Sequence, residues 1–76
     1  MNDKRRGKLH RAIDFIEKAY GIIDDVRFEE QDSMDNIPEA LQASERYVRM
    51  EDACDALERA YDYCDSAIDA LNDATK

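Results

Sequence analysis

Met50, Leu57, Cys64 and Leu71 recur at intervals of seven residues, and Ala53, Ala60, Ala67 and Ala74 recur at the same interval three places later. Cys54, Tyr61 and Ile68 each follow one of those alanines. A seven-residue apolar repeat sustained this long fits a helix that packs along its length against another helix. With the large residues placed at heptad position a, the alanines fall at d and the third line at e. Alanine at every d position predicts close approach of a partner helix. The repeat favours a left-handed crossing of about 20°.

The N-terminal half continues the same frame. Leu9, Ile16 and Ile23 fall at a, Ala12, Ala19 and Val26 at d, and Ile13 and Tyr20 at e, with Phe15 and Ile22 at g. Asp14, Lys18, Asp24 and Asp25 make the other side polar. Gly21 lies on that polar side, where glycine costs a helix about 1 kcal/mol relative to alanine. Four apolar lines out of seven form a stripe wider than one partner helix covers.

Between the two arms lies Asp32-Ser33-Met34-Asp35-Asn36-Ile37-Pro38-Glu39, a run of turn-forming residues around the only proline. Proline disfavours helical geometry at the residue before it, here Ile37, and suits the first turn of a new helix. Ser44, followed by Glu45, is a second candidate N-cap. The expectation is one domain over residues 1–76. It has a first helix at about 4–33, a break at about 34–43 with a short turn from Pro38, and a second helix at about 44–74.

Two arms of similar length around one break predict an all-α antiparallel hairpin. A chain of 76 residues buries only about 60% of its unfolded surface, so a lone hairpin would be marginal. Its wide stripes leave the Phe15/Ile22 side and the Tyr61/Ile68 side without cover. A symmetric dimer forming a four-helix bundle is the simplest closure.

Charge is unevenly spread along the chain. Residues 1–27 carry seven Lys or Arg against five Asp or Glu, while residues 28–76 carry four against fourteen. The net charge of −8 argues against a general nucleic-acid binder, which needs a basic footprint. Antiparallel folding predicts that Arg5, Arg6, Lys8 and Arg11 lie beside Asp65, Asp69 and Asp73. Such exposed pairs would fix orientation more than stability.

Several chemistries find no residues to carry them. His10 is the single histidine and has no Cys or second His at zinc-ligand spacing. Cys54 and Cys64 stand ten residues apart, about 15 Å on one helix, beyond disulfide reach. Both read as small apolar filler. Gly7 and Gly21 form no phosphate loop, and Asp32, Asp35 and Glu39 lack calcium-loop spacing. No catalytic residue, cofactor or metal is expected, and no enzyme activity. No apolar run reaches the ~20 residues of a membrane span. The basic N-terminus is not followed by the apolar stretch of a signal peptide. The expected setting is the cytoplasm.

Three features remain open to a binding role. Asp55, Asp62 and Asp69 repeat at the outward f position, flanked by Glu51, Glu58 and Asp65. They read as a solubilising face or as a mimic of a nucleic-acid backbone. A charge of −8 along a ~45 Å hairpin gives one charge per ~6 Å, sparser than the ~1.7 Å of duplex DNA. Met34, Ile37, Pro38 and Leu41 place apolar side chains at a polar tip, either as a local cap or as a docking knob. Phe28 lies near the same end. Tyr20, Tyr47, Tyr61 and Tyr63 read as core or dimer packing. Alternatively they line a pocket between protomers that holds a small anionic, nucleotide-like ligand with the N-terminal arginines.

The break segment Glu29–Arg46, with its Asp35-Asn36-Ile37-Pro38-Glu39 core, and the later Glu51–Glu58 resemble small acidic helical-hairpin proteins of unknown function from Firmicutes and their phages or mobile elements. Met34, where an aromatic is common, departs from that pattern, as do the cysteines and tyrosines of the second helix. The resemblance implies a bacterial host-cell cytoplasm and supplies no site residues. The expected function is a self-associating module that binds another protein, with inhibition of a host factor compatible with that setting. An acidic inhibitor of a nucleic-acid-binding or defence protein and an oligomeric nucleotide sponge are the alternatives.

Overall fold

The computed structural model describes residues 1–76 and contains two long helices. Helix α1 spans Asp3–Asp35 and helix α2 spans Glu45–Ala74, with one 3-10 turn, Glu39–Leu41, between them. The molecule is a rod whose Cα atoms extend 59 × 14 × 14 Å.

Each helix starts on a polar cap. The Asn2 side chain accepts a hydrogen bond from the Arg5 backbone N–H at 2.9 Å. Ser44 Oγ accepts one from the Tyr47 N–H at 3.2 Å. Both satisfy donors that the first turn of a helix leaves free. Helix α1 runs past the expected end, so Met34 lies in its last turn and not in the break. Asn36 stops it in a right-handed conformation, and its N–H reaches back to the Asp32 carbonyl. Pro38 then stands extended, with ψ 142°, and its carbonyl accepts from the Leu41 N–H at 2.8 Å. No residue of the chain has positive φ, so the helix reversal uses no left-handed position.

The helices pack antiparallel. Tyr20 stacks on Tyr61, and Arg27 reaches Glu58, so advancing along α1 means retreating along α2. The a and e lines of both helices form the seam between them. On α1 these are Leu9, Ile16 and Ile23 with Ile13, Tyr20 and Met34; on α2, Met50, Leu57, Leu71 with Cys54, Tyr61 and Ile68. All are buried or half-buried.

This corrects the expected a/d seam. Ala53 and Ala74 are exposed and Val26 is 41% exposed, while Ala12, Ala19, Ala60 and Ala67 are half-buried at the edge of the seam. Burial free energy scales with apolar area. Turning the large e-line side chains inward gains more than closing the helices over alanines. Tyr61 and Ile68, expected on an uncovered flank, are therefore half-buried in the seam.

The expected charge pairing at the open end is also corrected. Of the four ion pairs, only Arg27–Glu58 joins the helices. Arg6 pairs within its own helix, with Asp3 at 3.2 Å. Helical spacing puts Lys8 and Arg11 on the opposite side of the hairpin from Asp65 and Asp69, so antiparallel order alone does not bring them together.

Candidate functional site

Arg27 occupies the e line between Tyr20 and Met34, an apolar position by pattern. Its guanidinium lies 4.0 Å from the Tyr61 ring centroid and 5.1 Å from that of Phe28. Nη1 donates to both Glu58 carboxylate oxygens at 2.9 and 2.8 Å, and Nη2 donates to Asp24 at 2.7 Å. These charge-assisted bonds, to Glu58 first and then to Asp24, push the Arg27 pKa still higher. Nε is buried and has no hydrogen-bond partner. The cluster clamps the helices and orients them, because Asp24 and Glu58 must flank the seam on the same face.

The Tyr20 and Tyr61 rings stack with centroids 4.3 Å apart. The adjoining Tyr61 hydroxyl, then burial and the nearby charges, push Tyr20 up to about 12. These two tyrosines fill the seam of a single chain and do not line an open pocket. Cys54 is buried, and burial raises its thiol pKa, with Glu30, Asp55 and Asp35 adding to the shift. Cys64 is half-buried and free. No group of three or more His, Cys, Asp or Glu side chains is gathered as a metal cluster. No helix is long and apolar enough to cross a membrane.

The tip forms a shallow open groove of about 370 Å³ lined by Asn36, Ile37, Pro38, Leu41, Ser44 and Arg46. The structure thus brings Ile37, Pro38 and Leu41 together. Ile37 is half-buried and Leu41 is 56% exposed. Met34 is half-buried on α1 and does not line the groove. Phe28 is exposed beside Arg27.

Asp55, Asp62 and Asp69 are all exposed on α2. At 1.5 Å per residue they form a row with about 10 Å between neighbours. They lie on the Glu58 side of the seam.

Phe15 and Ile22 are 70% and 65% exposed, as their g positions predict. Their companion on α2 is one of the four tyrosines read as core or dimer packing, though the sequence did not set it on this flank. Tyr63 is 70% exposed, and it sits among Ala56, Ala60, Ala67 and Ala70. The signal was present in the sequence as a second heptad line beside the first. The importance of Arg27 was also missed, although a charge on an otherwise apolar line marks it.

Comparison with protein-family models, curated proteins and solved structures gives no match. The functional reading therefore rests on the residues and their geometry.

Proposed function

We propose that this chain is a non-enzymatic, self-associating interaction module. Two hairpins dimerise into a four-helix bundle, which binds another protein through its surface or its tip. The observation that carries the reading is the missing core. Only Ile13 and Cys54, at 6% and 9% exposure, are buried in the single chain. Phe15, Ile22, Phe28 and Tyr63 meanwhile stay more than half exposed. A small domain needs oligomerisation or covalent staples when its own core is this thin, and both cysteines are free.

Sedimentation equilibrium at micromolar concentration tests the dimer. The expected mass is twice the 8.8 kDa of one chain; the mass of one chain rejects it. For the partner, Ile37→Asp at the tip groove should weaken capture from a bacterial host lysate without changing the oligomeric state. The resemblance of the break segment implies a bacterial or phage setting, and a host factor as target is compatible with that setting and with the size of the chain.

The exposed row Asp55, Asp62 and Asp69 favours a second reading, an acidic inhibitor of a nucleic-acid-binding protein. Reversal of the three residues to Lys should abolish capture under that reading. Retained capture sets it aside.

A further inference from the structure

We propose that a second copy of this chain docks on one particular face of the hairpin, built from the g and d lines of both helices, and that the α1 ridge of each copy lies in the α2 trough of the other. The inference rests on the self-association proposed above and adds its site and geometry.

Both helices carry a second seam beside the one that holds the hairpin. On α2, Ala56, Ala60, Tyr63, Ala67, Ala70 and Ala74 follow at steps of four, three, four, three and four. On α1, Ala12, Phe15, Ala19, Ile22 and Val26 follow at three, four, three and four. Alternating steps of three and four are the spacing of a helix–helix seam.

Arg27 shows where these lines point. It holds Asp24 on α1 and Glu58 on α2 together, which places both of those flanks on one face. At 3.6 residues per turn, the g and d lines of both helices fall on the other side of the seam. They share one face of the hairpin. Asp55, Asp62, Asp65 and Asp69 fall on the Glu58 side. Two copies that each carry −8 can therefore meet through the alanine face with those acids pointing away from the contact.

The shape of the face matches itself. The large side chains Phe15, Ile22 and Val26 stand on α1, and small ones dominate α2. The stacking of Tyr20 on Tyr61 sets the level, so Phe15 lies across from Ala67, Ile22 from Ala60, and Ala19 from Tyr63. Ridge and trough run side by side in one patch. An isologous contact needs both halves of the fit on the same surface. A twofold axis parallel to the helices lays each ridge in the opposite trough and makes every neighbouring pair of helices antiparallel. The face is about 30 Å long and roughly 20 Å wide across two packed helices. That is on the order of 1,200 Å² for the two copies, the lower edge of the range for stable interfaces.

The test uses Phe15→Lys and Ala67→Asp, made separately in the full chain, with mass by sedimentation and helicity by circular dichroism. Each alone is expected to lose the dimer at micromolar concentration. Mixed in equal amounts, they are expected to recover a dimer and full helicity, because the introduced lysine of one chain meets the introduced aspartate of the other. Asp62→Lys, on the far face, is expected to stay dimeric. Recovery on mixing separates a lost contact from a chain that cannot fold. A dimeric Ala67→Asp variant, or no recovery on mixing, overturns the proposal while self-association stands. A monomeric unmodified chain overturns both.

Discussion

The Arg27 guanidinium covers the Tyr61 ring at 4.0 Å while it grips the Glu58 carboxylate with both oxygens engaged. One side chain thus supplies the only ion pair between the helices and a lid on their central aromatic stack. Lysine carries the charge but not the planar fork. Arg27→Lys and Arg27→Ala should both lower the thermal midpoint by several degrees, with lysine recovering less than half the loss. Thermal denaturation followed at the helical band checks this, and full recovery by lysine would reduce the cluster to simple charge pairing.

Gly21 is exposed in the middle of α1, and a methyl group there would meet nothing within 4 Å. Gly21→Ala should therefore stabilise the hairpin by about 1 kcal/mol through helix propensity alone. Urea unfolding measures it. A loss of stability would mean that the glycine face touches something in the assembled protein.

Ile13 is the most buried side chain. Ile13→Ala should cost about 2 kcal/mol, the low end for such truncations, because a two-layer seam collapses around a small cavity. Urea midpoints at fixed protein concentration give the value, and a cost near zero would contradict the placement of Ile13 in the seam.

Tyr20 titrates at about 12, above its ordinary 10.0. Between those values the unfolded chain loses a proton that the folded chain keeps. The tyrosine contribution is complete below pH 10 and disappears as the pH rises toward 12. Stability should fall across that window, and less steeply in Tyr20→Phe. Identical slopes for the two proteins would exclude the coupling.

Cys54 is buried with a raised pKa, whereas Cys64 is half-buried. The thiolate is the reactive form. A disulfide reagent at neutral pH should label Cys64 first and Cys54 slowly, as peptide mapping would show. The reverse order would contradict the e-line seam.

The hairpin was legible because its signals are local. Pro38, the run of turn-formers before it and the Ser44 cap fix where the chain reverses. The observed α2 starts one residue after that cap. The choice of inward lines was not legible from the same pattern. All four apolar lines repeat every seven residues, so periodicity alone ranks none above another. Side-chain size decides, and it favours Tyr20, Tyr61 and Ile68 over alanine. The pairing of charges failed for a related reason. Order along antiparallel helices sets level, but the angle around each helix sets the face, and Lys8 and Asp69 share only the first. At the tip, turn chemistry pointed to Ile37, Pro38 and Leu41, while Met34 followed the helix because Asn36 ends it later than expected.

The crowding of acids along the Asp55, Asp62 and Asp69 flank makes the hairpin a one-sided body. A dimer built on the opposite face, as proposed above, would turn these acidic flanks outward. Growth into a ladder or fibre would require charged backs to stack, and like charges oppose that. That asymmetry would give the proposed assembly a natural terminus.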